Sequence, residues 1–346
     1  MNDRWKEVLK KTGMTVLAVL LFGLCSVLLY VTKQASLVQR IPEGDIGGVT
    51  NGYIGEETEE KMQAFWTVAL FGVDSRNGEL GTGTNSDTQM ILSIDKESGE
   101  IKIASIYRDT FLMIQPEEGR CGKINSAYMM GGPQQQVVAL NENLDLVIDD
   151  YISFSWKAAI DSVNMLGGID LEITESEFQY LNSFITETAE RSGVPSYHLK
   201  EAGLQHLDGV QTVAYCRLRL MDDDFRRTER QQTVMKLLLE KAKKSDAGTL
   251  NRILTTVLPQ TGTSLGLGDL TDMILNAGKY HITGTTGFPF SYNIAKLGET
   301  GNCVVANTLV SNVAEFHRFL YGDRDYEPSE RVREIEKDLI KRAIGR

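Results

Sequence analysis

The sequence predicts an α/β sandwich, and three patterns carry that prediction. "FWTVALFGV" (Phe65 to Val73) is a short uninterrupted apolar run, as expected of a strand buried on both faces. "TQMILSI" and "IKIASIY" are β-prone runs joined by the turn "DKESGE", which reads as a hairpin. The middle of the chain then alternates helix and strand, the arrangement of a sheet covered by helices.

Taken in order, the apolar run stops at Asp74, and a glycine-rich loop, "SRNGELGTGTNSD", leads to the hairpin. Because the hairpin partners are antiparallel, Asp87 at the start of one strand and Arg108 at the end of the other share one end of the sheet. If the first strand runs parallel to the one ending at Arg108, Asp74 joins them there. Farther on, "PQQQVVALNENL" and "SWKAAIDSVNMLGG" read as helices, the second closed by a glycine pair of the kind found at C-caps. Strands at "DYISF" and "IDLEI" flank the latter helix. The tail "EPSERVREIEKDLIKRAIGR" reads as a charged, solvated amphipathic helix over 326–346.

Two segments precede this domain. The uncharged run Thr12 to Thr32 is flanked by Lys11 and Lys33 and is long enough to cross a bilayer as one helix. A cleaved signal peptide is the rival, but the run exceeds a usual h-region, and Lys33 stands where a small residue should precede a cut at Ala35. Four basic residues lie before the run and two close behind it, so residues 1–11 are expected in the cytoplasm and everything after residue 33 outside. Residues 33–60 mix Gly, Pro and acids without sustained periodicity and read as a linker, leaving 61–325 as the functional domain.

The chain has 346 residues and a formal net charge of −11, with apolar and charged fractions typical of globular proteins. Of four cysteines, Cys25 falls in the apolar run, so Cys121, Cys216 and Cys303 allow at most one disulfide; a Cys121 to Cys216 bridge and three free thiols both remain open. The loop "GELGTGTNSD" lacks the Lys-Ser/Thr ending of a P-loop, four scattered histidines have no zinc spacing, and no serine-histidine triad has a local signature.

Against that acidic background stands "AYCRLRLMDDDFRRTERQQ", a dense cationic knot. Alternation in "VAYCRLRL" reads as a strand with Val213, Tyr215, Arg217 and Arg219 on one face. A helix is expected to start near Asp224, a plausible N-cap, and to place Arg227, Gln231, Val234 and Leu238 on one stripe, polar at its start and apolar farther in. Surface salt bridges with Asp222 to Asp224 and Glu229 are the bland alternative. Two arginines two apart and an Arg/Gln pair four apart instead make a multi-donor site, and arginine forks suit phosphate oxygens. A pyrophosphate commonly brings a divalent metal held by one or two carboxylates, which Asp74 and Asp87 supply beside Arg108.

"LFGVDSR", "NSDTQMILSID", "SIYRDTFLMI", "KINSAYMMGG", "LGGIDLEI", "LDGVQTVAYCRLR" and "DFRRTERQQ", in that order and spacing, resemble the LytR-CpsA-Psr family of bacterial envelope proteins. The resemblance is strong from Phe65 to Lys241 and weaker to about residue 330. It implies an α/β/α sandwich with a central mixed sheet behind one N-terminal span, at the cell membrane with the catalytic domain outside. The implied activity is a phosphotransferase that moves an anionic or secondary glycopolymer, such as teichoic acid or capsule, from a polyprenyl-pyrophosphate carrier to a sugar hydroxyl of peptidoglycan. The lipid tail would need an apolar tunnel, expected under the helices around 135 to 165. By the same resemblance Asp74 and Asp87 correspond to the aspartates that bind Mg2+ (or Mn2+). Arg76, Arg108, Lys123, Arg217, Arg219, Arg227 and Gln231 correspond to the pyrophosphate-binding set. Asp224 matches an acidic position before the helix, and Asp87 and Asp109 are candidates for taking the acceptor proton.

Two positions depart from the family pattern: Asn85 replaces an arginine and Tyr107 a proline. Hydrolysis of the same lipids, and a non-catalytic module that holds polyprenyl lipids, are the alternatives. Nucleic acid is not an expected partner, because DNA binding needs a net cationic surface and the predicted span puts this domain across the membrane from DNA.

Overall fold

The computed structural model of the chain describes residues 41, 44–47, 49–75, 79–219 and 224–344. The elements run α1 (Glu56–Met62), β1 (Phe65–Val73), β2 (Ser86–Asp95), β3 (Glu100–Ile106), β4 (Phe111–Gln115), β5 (Arg120–Lys123) and α2 (Asn125–Leu144). There follow β6 (Asp150–Ser155), α3 (Trp156–Met165), β7 (Ile169–Ile173), α4 (Glu175–Ser192), β8 (Gly203–Leu207), α5 (Gly209–Arg217), α6 (Asp224–Lys244) and α7 (Ala247–Val257). The chain closes with β9 (Thr261–Thr263), α8 (Leu267–Leu275), β10 (His281–Phe288), β11 (Tyr292–Leu297), β12 (Gly301–Ala306), α9 (Leu309–Tyr321) and α10 (Glu330–Ile344).

Six strands form a mixed sheet in the order β10-β3-β2-β1-β6-β9. β1 pairs parallel with β6 and β3 with β10, while β2 is antiparallel to both of its neighbours. The β2–β3 turn is closed by Asp95, whose Oδ1 accepts from the amides of Glu97 (3.0 Å) and Ser98 (2.6 Å), and by Gly99 at φ 76°. Because β1 and β3 run in the same direction, Asp74, Asp87 and Arg108 all emerge at one end of the sheet, as the hairpin reading anticipates.

Strand alternation divides the sheet's side chains between two layers. Ala69, Phe71, Val73, Ile91, Ala104 and Ile106 join a core with α2, α9 and α10, and Val332, Ile335 and Leu339 of α10 are buried in it. The charged tail is therefore a structural wall as well as a solvated surface. It is tied down by Asp145, which accepts hydrogen bonds from Tyr326 Oη and from the amide and hydroxyl of Ser329, each at 2.7 Å. On the other side of the sheet, Val68, Leu70, Met90, Ile94, Ile101 and Ile103 meet Met235 and Leu239 of α6. A second core, centred on Ile160, Leu181, Ile185, Val210 and Val213, binds α3, α4, α5 and the antiparallel β7–β8 pair.

Three sequence expectations need correcting or placing. "VAYCRLRL" is no strand: its first half belongs to α5, which ends at Arg217, and Leu218 (φ −53°, ψ 128°) leads the chain out extended toward Arg219. The local cause is a capping box at Asp208, whose Oδ1 accepts from the Gln211 amide while Gln211 Oε1 accepts from the Asp208 amide, both at 2.8 Å. Asp208→Ala should destabilise the fold by about 1–2 kcal/mol, measurable by denaturant titration, since it removes the cap and the Ser196 hydroxyl bond (2.6 Å) together.

The segment read as a linker is already part of the domain where it is described. Ile41 and Ile46 are buried in the main core, and Asn51 Nδ2 donates to the carbonyls of Asn141 (2.8 Å) and Leu146 (3.3 Å). The predicted membrane span lies outside the described residues, and among the described ones no helix is long and apolar enough to cross a membrane. Cys121, Cys216 and Cys303 are all free thiols.

Candidate functional site

A cavity of about 600 Å3 lies between the sheet face carrying Leu70 and Met90 and the helices α3, α4, α5 and α6. This volume is in the usual range for small-ligand sites. Its depth is apolar, walled by Ile152, Phe154, Val163, Val234 and Leu238 among others, whereas Asp74, Asp87, Arg191, Arg217, Arg219 and Arg227 gather in its polar part. Gly72 lies in the sheet wall because a Cβ there would stand 2.9 Å from Thr88 Cβ and 3.3 Å from Phe154 Cζ.

Asp87 is the hub of the polar part. Its Oδ1 accepts from Arg108 Nη1 at 2.6 Å, its Oδ2 from Arg219 Nη2 at 3.1 Å, and its main-chain carbonyl from Arg227 Nη2 at 3.2 Å. Burial pushes the Asp87 carboxyl up, but the Arg108 and Arg219 charges, reinforced by the Arg108 hydrogen bond and by Arg227, outweigh it and hold the pKa below the usual value. Asp87 is thus an ionised organiser of guanidinium groups and a poor proton acceptor.

Arg217 and Arg219 do not share a strand face, yet both reach the cavity. Arg217 comes from the last turn of α5 and lies over the Trp156 ring, 3.7 Å from its centroid. It donates to Thr188 Oγ1 at 2.6 Å and pairs with Glu187 Oε1 at 3.2 Å. Arg219 follows on the extended exit. The stripe predicted for α6 is in place: Arg227, Gln231, Val234 and Leu238 all line the cavity, and Gln231 Nε2 donates to the Cys216 carbonyl at 3.4 Å.

Arg108, Asp109 and Lys123 stand outside the cavity wall. Lys123 pairs with Asp109 at 3.0 Å, and Asp109 lies 3.8 Å from Arg108 Nε, so Lys123 joins the hub only through two intermediates. Arg76 lies outside the described residues; Asp224 begins α6, with its side chain outside the description. Asn85 is exposed, and Tyr107 packs edge-on against Phe225 with ring centroids 4.4 Å apart. Of the helices expected over an apolar tunnel, α3 lines the cavity with Trp156, Ala158, Ala159, Ser162 and Val163, whereas residues 135–144 belong to α2 on the opposite face of the sheet.

Sequence reasoning missed α4. Its last two turns bring Glu187, Thr188 and Arg191 to the polar part, where Arg191 pairs with Glu187 Oε1 (2.7 Å) and Asp74 Oδ2 (3.5 Å). An acid and a base four residues apart on a helix look like ordinary solvated pairing, so nothing local in "TETAERSG" singles them out.

The two carboxylates nearest the diphosphate expectation, Asp74 and Asp87, offer hard oxygens suited to magnesium or manganese. Among the described residues no group of three or more His, Cys, Asp or Glu could hold a metal alone. A cation held by these two carboxylates would have to share them with Arg108, Arg219 and Arg191 and take its remaining ligands from water and phosphate.

A model of the LytR_cpsA_psr family matches residues 49–300. Among curated proteins the chain is similar to the polyisoprenyl-teichoic acid–peptidoglycan teichoic acid transferase TagU of Bacillus mycoides. The two are 29% identical over 213 residues, which cover 61% of this chain and 64% of that protein, just under two thirds of its length. Among solved structures it resembles TagT bound to LIIa-WTA, at TM-score 0.60 and 19% identity, covering 83% of this chain and 100% of that one. It also resembles the LytR-CPS2A-psr family protein YwtF (TagT) with bound octaprenyl pyrophosphate lipid, at TM-score 0.56 and 18% identity over 83% and 100% of the two chains. At such identities the structural matches establish the shared fold.

Proposed function

The chain belongs to the LytR-CpsA-Psr family, and from that premise we propose that it is a phosphotransferase moving a glycopolymer from a polyprenyl-diphosphate carrier to a sugar hydroxyl of peptidoglycan. The observation that carries this reading is the amphiphilic cavity, apolar in depth and rimmed by guanidinium groups. A polyprenyl diphosphate has the complementary pattern, a long hydrocarbon joined to a compact dianion. The names of the relatives, a teichoic acid transferase and a protein holding octaprenyl pyrophosphate, support the same substrate class.

In this reading the isoprenoid lies between the sheet and α3, α5 and α6, and the diphosphate meets Arg217, Arg219 and Arg227. The acceptor hydroxyl attacks the phosphorus that carries the glycan. A new P–O bond forms, the bond to the bridging oxygen breaks, polyprenyl phosphate leaves, and the hydroxyl proton passes to a base or to water. Preorganised guanidinium donors stabilise the charge that spreads over the transferred phosphoryl and the leaving phosphate. Magnesium or manganese, when bound, would be held by Asp74 and Asp87 and would neutralise phosphate charge. Asp87, held by two arginines, is suited to orienting them; Asp109 is tied to Lys123 and lies outside the cavity wall.

Thr12 to Thr32 would anchor the chain at the cell membrane, with this domain outside, where a membrane-borne carrier is within reach. Product analysis tests the activity. The full-length protein, given a polyprenyl-diphosphate-linked glycopolymer and an acceptor glycan, should release polyprenyl phosphate and join polymer to acceptor through a phosphodiester. Polymer phosphate released to water despite abundant acceptor would indicate a hydrolase. Tight lipid retention without turnover would indicate a carrier module.

A further inference from the structure

Among the described residues, Arg191, Arg217, Arg219 and Arg227 at the mouth of the cavity, with Arg108 behind its wall, meet three carboxylates in two sets of contacts: Arg108, Arg219 and Arg227 on Asp87, and Arg191 and Arg217 on Glu187, with Arg191 also near Asp74. A set of guanidinium groups gathered in this way suits phosphate oxygens. The arginines are not held alike. Arg108 and Arg219 are locked on Asp87, and Arg217 is fixed by Trp156, Thr188 and Glu187. Arg191 has one firm partner, Glu187 at 2.7 Å, and one loose one, Asp74 at 3.5 Å, too long for a good hydrogen bond.

We propose that Arg191 is a further diphosphate-binding residue, which the substrate-free protein rests on Asp74, and that Glu187 is the positioning residue holding Arg191 and Arg217 side by side. The inference rests on the diphosphate reading and adds to it a ligand from a helix outside the recognised motifs. Its geometry is simple. Arg191 sits in the last turn of α4, which stops at Gly193 in the left-handed region (φ 68°), so its side chain extends from a fixed helix end over the cavity. Its guanidinium carbon is 5.6 Å from the Trp156 ring centroid, the ring over which Arg217 lies at 3.7 Å. Trp156 and Glu187 thus form a common support for two adjacent cations.

The energetics favour an exchange of partners. An ion pair such as Arg191 with Asp74, about one third exposed on each side, contributes little. Charge-assisted bonds from a guanidinium fork to phosphate oxygens are stronger and shorter. When the diphosphate arrives, Arg191 turns to it and uncovers Asp74, which becomes available to a divalent cation. An arginine in the last turn of a helix, paired four residues back, would also arise from the helix dipole alone. That account explains Glu187 but not the reach to Asp74.

Two measurements on the full-length protein in detergent test this. The first is calorimetric binding of geranylgeranyl diphosphate; the second is Mn2+ binding to the lipid-free protein, read by electron paramagnetic resonance of the free ion. Arg191→Ala should bind the diphosphate about tenfold more weakly, yet bind Mn2+ several-fold more tightly, and adding Asp74→Asn should remove that gain. Arg191→Lys, which keeps the charge but not the fork, should fall between wild type and Arg191→Ala on both scales and guards against a folding artefact. Unchanged affinities in Arg191→Ala for both probes would overturn the assignment. Failure of the wild-type protein to bind the diphosphate would instead overturn the underlying reading, and that outcome is recognisable because it does not involve Arg191.

Discussion

Arg108→Ala should lower kcat for polymer transfer by about a hundredfold, because Arg108 fixes the Asp87 that aligns Arg219 and Arg227, and misaligning preorganised donors at a site of developing charge costs about as much as losing one. Arg108 is the closest guanidinium to Asp87, at 2.6 Å, and the hub that Asp87 organises includes Arg219 and Arg227. Removing Arg108 does not orphan Asp87, because Arg219 keeps its other oxygen occupied. The variant should therefore fold and melt within a few degrees of wild type. Arg108→Lys should recover only part of the rate, since a point charge cannot reproduce the fork. Normal turnover in Arg108→Ala would remove the arginine hub from the mechanism.

Ala159→Trp should abolish binding of long polyprenyl diphosphates while sparing inorganic pyrophosphate. Ala159 projects from α3 into the cavity, opposite the sheet wall of Leu70, Phe154 and Gly72. An indole there would occupy space that the isoprenoid needs. Each expelled methylene forfeits about 0.8 kcal/mol, so expelling three costs roughly 2.4 kcal/mol, or about fiftyfold in affinity, and a fully blocked chain loses much more. The guanidinium groups of the mouth come from elements other than α3 and should still take a small dianion. Equal loss of both ligands in titration calorimetry would mean that the substitution disturbs the fold rather than the tail site.

Patterns confined to one element were legible in the sequence. The β2–β3 hairpin places Asp87 and Arg108 together because an antiparallel turn leaves no other choice. The stripe Arg227, Gln231, Val234 and Leu238 lines the cavity because helical spacing over eleven positions admits one reading. "VAYCRLRL" was ambiguous in physical terms. Its apolar residues fit a period of two, but Val210, Val213, Ala214 and Arg217 also fit a helix, and the Asp208 to Gln211 capping box decides for the latter. Contacts made between distant elements were illegible. Arg217 over Trp156, Arg191 beside Asp74, and Ile41 and Ile46 in the core depend on how helices stack against the sheet. No spacing along the chain encodes that. Even so, the two arginines assigned to a false strand reach the intended cavity, since the helix end and the extended exit deliver them to the same place.

If one cavity holds the isoprenoid with its diphosphate at the arginine mouth, photolabelling the full-length protein with a polyprenyl diphosphate carrying a diazirine near the tail end, followed by peptide mapping, will locate the tail there. Saturable labels are expected on the cavity faces of α3 and α6, around Val163, Val234 and Leu238, displaced by unlabelled polyprenyl diphosphate. Labels concentrated on α2 or α9, across the sheet, would contradict that placement.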